Sequence, residues 1–245
     1  MATRYSQPQS GARINRSNPY GARVIDAFSG SASYTALGKP IVKAGTVGNA
    51  VYSGGIGYRN TNSAGFSFAS NLTTENGITI VFEYVQYAVS GSQVLFEHSA
   101  NQNTNAGTFI LYTDAGTSRL VYGTSSSGSY ESGYIGNPTL GKKHTVAIRL
   151  RFTSALGNAD MAIAIDGVLQ TTTNTNTSVG AINFGNYSTY FLARAGSSLH
   201  ADATVGMYAV LRGFGSDADL VNLSAAPWQI FQPTSRAIWV PVGGG

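Results

Sequence analysis

The chain has 245 residues, of which 42% are hydrophobic and only 11% are charged, with 14 tyrosines, 11 phenylalanines and no cysteine. The lack of cysteine excludes disulfides and thiolate zinc sites, and no apolar run approaches the roughly 20 residues of a membrane span, so membrane insertion is not expected. Gly, Ser, Thr and Asn are abundant where helical proteins carry Lys and Glu, which favours turn-rich β structure. The composition predicts an all-β protein of a length that suits one domain.

The net charge of +4 originates in the first 25 residues. Four arginines precede the first acidic residue, Asp26, and beyond that point 11 basic and 11 acidic residues cancel: Arg4, Arg13, Arg16 and Arg23. The segment is rich in Pro, Gly, Asn and Gln, which predicts a basic, extended arm over 1–25 that docks on a larger acidic partner. A mobile, solvated tail is the alternative. No basic face follows the arm, so nucleic acid is not an expected partner.

Strand patterns recur from about residue 40 onward without a dividing linker, which predicts one domain over 26–245. Short strands over 39–43 and 49–54 come first, followed by a long apolar run over 77–89. Alternation of apolar and polar residues is clearest in "KHTVAIRLRF" (143–152) and "ADMAIAIDGVLQTTT" (159–173), where Asp166-Gly167 marks a hairpin turn. We expect about twelve to fourteen strands at this spacing.

The C-terminal region contains the one convincing helix pattern, over 216–226. Ser216 is its predicted N-cap, acidic residues follow in the first turn, and Pro227 ends it. We expect Trp228 and Phe231 to pack back over the sandwich edge. Trp239 falls in a predicted closing strand over 237–242.

Candidate catalytic groups are few because the chain has few charges. Glycoside hydrolysis requires two carboxylates facing one bond, and Glu83 and Glu97 supply such a pair only if their strands are neighbours. The G-x-S-x-G motif that carries the nucleophilic serine of many hydrolases is absent, and no sequence motif places a nucleophile with His98, His144 or His200. We therefore predict no catalytic residue and no enzymatic activity.

Metal ligands and cofactors are not indicated either. His200 and Asp202, two residues apart, are a weak ligand pair without a third member. We predict no metal site and no cofactor, although calcium held by loop oxygens, for example at Asp114, stays open.

Four tyrosines flank loops rich in Gly, Ser and Asn, where an exposed ring could stack on a sugar: Tyr130, Tyr134, Tyr187 and Tyr190. Tyrosine is also a good strand former that tolerates one wet edge, and this explanation needs no ligand. We retain the four as candidate glycan-binding residues.

Three segments of the second half resemble the concanavalin A-like lectin/glucanase superfamily in its laminin G-like form: "KKHTVAIRLRF", "MAIAIDGVLQ" and "ATVGMYAVLRGFGSDADLVNLSAA". The ending "LSAAPWQIF" with "IWVPV", and the N-terminal "RINRSNPYGARVIDAF", are similar to variants encoded by bacteriophages and prophages. The resemblance implies a jelly-roll sandwich of two antiparallel sheets. The E-x-D-x-x-E pattern of the glucanases is absent, so no catalytic residues carry over.

The fold alone does not decide function, and three hypotheses follow. The first is a non-enzymatic bacteriophage virion protein, a capsid decoration or tail module docked on other virion proteins by its arm. It would be made in the host cytoplasm, reside in the virion and form a homo-oligomer. The second is an adhesin that binds a host surface glycan. The third is a polysaccharide hydrolase that uses Glu83 and Glu97.

Overall fold

The computed structural model describes residues 12–30, 33, 35–52, 55–61, 63–117, 119–126, 129–152, 159–175 and 183–232. Within these ranges sixteen strands form two antiparallel sheets, accompanied by short helices. This confirms the predicted all-β, two-sheet sandwich with one short C-terminal helix.

The strands follow one another along the whole described chain. In chain order they are β1 Val24–Ser29, β2 Val42–Ala44, β3 Gly48–Tyr52, β4 Gly55–Thr61, β5 Gly65–Asn71, β6 Gly77–Ala88, β7 Ser92–His98, β8 Thr108–Asp114, β9 Arg119–Ser126, β10 Ser129–Gly136, β11 Lys143–Phe152, β12 Ala159–Ile165, β13 Val168–Leu169, β14 Thr173–Thr175, β15 Asn186–Phe191 and β16 Asp202–Arg212. Asp166 and Gly167 have φ values of 51° and 84° and form the predicted two-residue hairpin turn between β12 and β13.

Each sheet contains eight strands. The first sheet has the order β13-β12-β11-β6-β16-β4-β3, with β1 also paired to β16. The second sheet has the order β14-β10-β9-β8-β7-β15-β5-β2. Consecutive strands β6 and β7 thus lie in different sheets, so their inward side chains meet across the core, whereas their outward side chains lie on opposite outer faces of the sandwich.

The core lies between the sheets and is formed by the inward side of the alternation. In β11, Val146, Ile148 and Leu150 are buried in it, as the pattern predicts. Aromatic rings fill its centre: the Phe191 ring lies 4.8 Å from that of Phe66 and 4.9 Å from that of Tyr208, measured between centroids. Rings of this size bury much apolar surface, which makes them the main contributors to core stability.

A layer of short helices covers the outer face of the first sheet. It contains α1 Pro19–Ala22, α2 Asp217–Ala225 and a 3-10 helix, Pro227–Ile230. Ser216 caps α2 as predicted: its Oγ accepts a hydrogen bond from the N–H of Asp219, whose carboxylate accepts one from the N–H of Ser216. None of the described helices is long and apolar enough to cross a membrane.

Trp228 anchors this covering layer. It is 6% exposed, contacts Phe231 and packs with Ile14 in a second apolar cluster on the outer side of the first sheet. The two aromatic residues therefore pack on the outer face of a sheet, whereas we had predicted contact with the sandwich edge. Trp239 and the predicted strand over 237–242 lie outside the described residues.

Of the residues assigned from sequence to the extended arm, 12–23 lie against the sandwich, and Val24 and Ile25 begin β1. Arg16 Nη1 donates to the carbonyl oxygens of Gly21 and Val24, and Arg23 Nε donates to that of Arg212 at 2.8 Å. An extended conformation over 19–22 is wrong, because the Asn18 side chain caps the helical turn that begins at Pro19. Arg4 lies outside the described residues, Arg13 is exposed, and the docking role of the arm stays a prediction.

Candidate functional site

A cavity of about 370 Å³ opens on the outer face of the second sheet. Strands β7, β8, β9 and β10 form its floor, and the loops between β7 and β8 and between β15 and β16 form its walls. Its volume falls in the range of small-molecule sites. The lining residues are Ser92, Val94, Gln102, Asn103, Ile110, Tyr112, Gly123, Ser132, Arg194 and Leu199.

The register of the strands builds the floor. Phe109 and Leu111 of β8 point into the core, so the alternate residues Ile110 and Tyr112 point outward. Ile110 lies opposite Gly123 of β9, which lies opposite Ser132 of β10. Gly123 carries no side chain and Ser132 a small one, so this row of the sheet is low and leaves space above it.

The first wall is the loop between β7 and β8. The Asn101 side chain accepts a hydrogen bond from the N–H of Asn103 at 3.0 Å, which fixes a turn. The Tyr187 hydroxyl donates to the carbonyl oxygen of Ala106 at 2.9 Å and supports the loop from the side. The loop thereby brings the amide side chains of Gln102 and Asn103 to the cavity.

The second wall is the loop between β15 and β16, which has an unusual backbone. Leu192, Ala195 and Leu199 have φ values of 62°, 51° and 48°, in the left-handed region that favours glycine. The loop leaves the sheet at Leu192, whose N–H donates to Leu95, and returns where Leu199 accepts from the N–H of Val94. Such conformations cost about 1–3 kcal/mol each and cluster at ligand sites, and here they place Arg194 and Leu199 on the cavity.

One ion pair joins the two walls to the floor. Arg194 Nε donates to Glu97 Oε2 at 2.9 Å, and the N–H of Gln102 donates to Glu97 Oε1 at 2.5 Å. The Glu97 side chain is fully buried, whereas that of Arg194 is 19% exposed. Burial raises the pKa of the Glu97 carboxyl, while the Arg194 guanidinium and the Gln102 N–H act to lower that pKa. The carboxylate thus lies beneath the guanidinium that faces the cavity.

Of the candidate tyrosines, Tyr134 and Tyr190 lie on the second sheet, and neither is among the described residues that line the cavity. Tyr134 shares a cross-strand row with Val121 and Tyr112 on the same outer face, and its ring lies 3.9 Å from Arg119 Cζ. Tyr190 lies opposite Glu97 on the neighbouring strand.

The other two tyrosines are placed differently. Tyr187 faces the inner side, with its ring centroid 5.5 Å from that of His98. Tyr130 lies in β10 opposite Ser125, and its side chain lies outside the described residues. The glycan-binding role of all four stays a prediction.

Glu83 and Glu97, which the hydrolase hypothesis requires on neighbouring strands, do not meet, because β6 and β7 belong to different sheets and each carboxylate lies on the outer side of its own sheet. Glu83 is buried on the first sheet, where its Oε2 lies 3.2 Å from Lys143 Nζ. None of the ten residues that line the cavity carries a carboxylate. The two acids of the hydrolase hypothesis therefore belong to separate ion pairs, Glu83 with Lys143 and Glu97 with Arg194.

The histidines have structural contacts. His98 is fully buried, its ring stacks on Phe109 at 4.7 Å, and burial lowers its pKa to about 4. His144 Nδ1 lies 2.7 Å from Asp166 Oδ2, and this hydrogen bond raises the His144 pKa.

The structure does not support His200 and Asp202 as a pair of metal ligands, because the Asp202 carboxylate forms an ion pair with Arg59. Within the described ranges, no three His, Asp or Glu side chains are grouped as metal ligands. The Asp114 carboxylate, named above for calcium, accepts hydrogen bonds from Gly116 and Thr117 of its own turn.

The cavity includes residues that sequence reasoning missed: Gln102, Asn103, Tyr112 and Arg194. The alternation in "GTFILYTD" places Tyr112 on the face of its strand that points away from the core, and this pattern could have identified it as an outward-facing residue. No local pattern links Arg194 to Glu97, because they are 97 residues apart in sequence.

No protein-family model and no curated protein sequence matches the chain. Its fold is similar to that of the ligand-binding domain of botulinum neurotoxin serotype D, solved with N-acetylneuraminic acid (TM-score 0.62, 9% identity, covering 84% of this chain and 51% of that one). It is also similar to the Ruminococcus gnavus IT-sialidase CBM40 bound to α2,3-sialyllactose (TM-score 0.50, 14% identity, 69% and 95%). A third similar structure is Trypanosoma rangeli sialidase (TM-score 0.58, 15% identity, 85% and 33%).

These neighbours share the sandwich fold with this chain, and at such low identity the similarity concerns the fold alone. The chain spans about half the length of the toxin domain and a third of the length of the sialidase. The two-sheet sandwich agrees with these neighbours, whereas none of them supports a bacteriophage origin.

Proposed function

We propose that this protein is a carbohydrate-binding module that holds a glycan in the cavity on the outer face of the second sheet. The observation that carries the proposal is the composition of this cavity, which combines an aromatic ring and aliphatic side chains with amide and hydroxyl groups. A sugar presents C–H faces and hydroxyl groups side by side. It therefore requires apolar contact and hydrogen bonds in one small site.

Each wall supplies part of that requirement. Tyr112 and Leu199 offer apolar surface for the C–H face of a sugar ring. Gln102 and Asn103 offer amides that can both donate to and accept from hydroxyl groups, and Arg194 adds donors. The Arg194–Glu97 pair holds the two walls together before a ligand arrives, which reduces the entropy cost of binding.

The neighbours add support by analogy, because the toxin domain and the CBM40 were solved with sialic acid or a sialylated sugar. Binding without catalysis fits a cavity whose described lining residues carry no carboxylate, since most glycosidases use two. The virion role has no support from the site or from the comparisons. It stays a prediction, as do the homo-oligomer and the docking of residues 1–25 on virion proteins.

The test is a glycan array probed with the purified chain, followed by titration of each bound sugar. The Gln102→Ala/Asn103→Ala variant removes two amides from the cavity and keeps the backbone N–H that bonds Glu97. We expect at least about tenfold weaker binding. The control Asn222→Ala/Gln229→Ala removes two amides from the covering layer of the first sheet and should bind normally. Absence of any bound glycan, or unchanged binding by the first variant, would refute the proposal.

A further inference from the structure

The described residues that line the cavity include one formal charge, and that charge is already compensated. Among the ten lining residues, Arg194 is the one with a permanent charge. Its partner Glu97 lies directly behind it and is fully buried. The site therefore presents a guanidinium as a hydrogen-bond donor without presenting a net positive charge.

The pairing is fixed by contacts on both carboxylate oxygens. Glu97 Oε2 accepts from Arg194 and Oε1 accepts from the Gln102 N–H, so the carboxylate is held in place on two sides. This ion pair does not separate easily, because the fully buried Glu97 carboxylate would be left alone in a medium of low polarity. Arg194 thus stays compensated when a ligand enters.

The charges on the surrounding floor of the cavity also cancel. One row beyond Tyr112, Asp114 of β8 lies directly opposite Arg119 of β9, one charge of each sign. A carboxylate-bearing sugar placed against Arg194 would gain the attraction of the guanidinium and lose much of it to the repulsion of Glu97. It would also lose the hydration of its own charge.

We infer that the cavity selects a neutral sugar, a hexose or N-acetylhexosamine unit, and has no preference for sialic or uronic acids. The inference rests on the proposed glycan-binding function and narrows its ligand to one chemical class. It gives Arg194 the role of a donor to sugar hydroxyl groups and Glu97 the role of a specificity-determining residue.

The first experiment uses the wild-type chain and immobilised probes at equal density. The neutral probes are lactose, N-acetyllactosamine, mannotriose and cellotetraose, and the acidic probes are α2,3-sialyllactose and tri-galacturonate. We expect the probe of highest affinity to be neutral. We also expect the affinity for sialyllactose to exceed that for lactose by no more than about threefold. An acidic probe bound about tenfold tighter than every neutral probe would overturn the inference and leave the proposed function intact. If no probe binds, the neutral and acidic sugars of the glycan array are compared in the same way, and absence of any bound glycan there would refute both the inference and the proposed function.

The second experiment changes the charge and keeps the shape. Glu97→Gln leaves Arg194 uncompensated, so the affinity ratio of sialyllactose to lactose should rise about tenfold at low salt and fall back as salt is added. The matched control is Glu75→Gln, which removes a buried carboxylate bonded to Arg212 at the far end of β16. It changes the net charge equally and should leave the ratio unchanged.

An unchanged ratio in folded Glu97→Gln would overturn the inference. Circular dichroism and thermal unfolding establish whether that variant is folded. If it is not folded, the salt dependence of wild-type binding decides. A site without net charge predicts a sialyllactose affinity that varies less than about twofold between 20 and 300 mM salt. A steep loss of affinity with salt would contradict the inference.

Discussion

The two sheets of this protein present very different outer faces. On the first sheet the outward residues beneath the helices are mainly small or aliphatic, among them Ala147, Ala164 and Ala209. Alanine lets a helix approach a sheet closely, and the second apolar cluster forms there with Leu220 and Trp228. This face is buried and contributes stability.

The second sheet has no such cover over its cavity. Its outward row Ile110, Gly123 and Ser132 lines the cavity together with Tyr112, whereas the helices that form the covering layer pack on the other sheet. The loops around the cavity approach without closing it, and one of them accepts left-handed backbone at three non-glycine residues. The comparison indicates that one face of the sandwich serves folding and the other is available for binding.

The largest effect is expected on the covered face. Trp228→Ala should lower the free energy of unfolding by about 3–5 kcal/mol, because it removes a buried aromatic ring from beneath Phe231. Guanidinium denaturation measures the loss. Glycan affinity at the opposite sheet should not change, and a loss of binding in the folded variant would show that the two faces are coupled.

The next effect concerns pH and the second sheet. The unfolded chain protonates His98 near pH 6.5, while the folded chain keeps its pKa at about 4, so the unfolded state binds more protons between these values. Stability is therefore lost as pH falls through this window, by up to about 3 kcal/mol. Denaturation of wild type and His98→Gln at pH 7, 6 and 5 isolates this contribution. Parallel curves would contradict it.

The smallest effect is expected in the cavity itself. Tyr112→Ala should weaken glycan binding by about tenfold, or about 1.4 kcal/mol, because a ring beside the sugar is lost. Titration of the sugar identified on the array measures it. Tyr20→Ala removes an equally half-buried ring from the covering layer and serves as the control. Equal losses of glycan affinity in both variants would show that binding is not confined to the outer face of the second sheet.

Several elements were predictable from sequence because their signals are local. The Ser216 cap, the Asp166-Gly167 turn and the alternation of β11 depend on neighbouring residues alone. The helical turn at Pro19 was missed although Asn18 and Pro19 carry its signal, because the charge pattern suggested an arm.

The candidate site could be predicted only in part. Alternation indicates that Tyr112 points away from the buried face of its strand, yet it does not tell which outer face of the sandwich stays uncovered. The pairing of Arg194 with Glu97 and the separation of Glu83 from Glu97 both depend on which sheet each strand joins.

The sequence by itself determined the fold class, the strands with strict alternation and the helix with its cap, because period-two patterns and capping residues act over a few positions. The tertiary structure decided where the helix layer lies, and hence which sheet face remains open. It also brought together the walls of the cavity and the compensated charge of Arg194, since these contacts join segments about a hundred residues apart. Local patterns therefore specify the sheets, and long-range packing specifies the site.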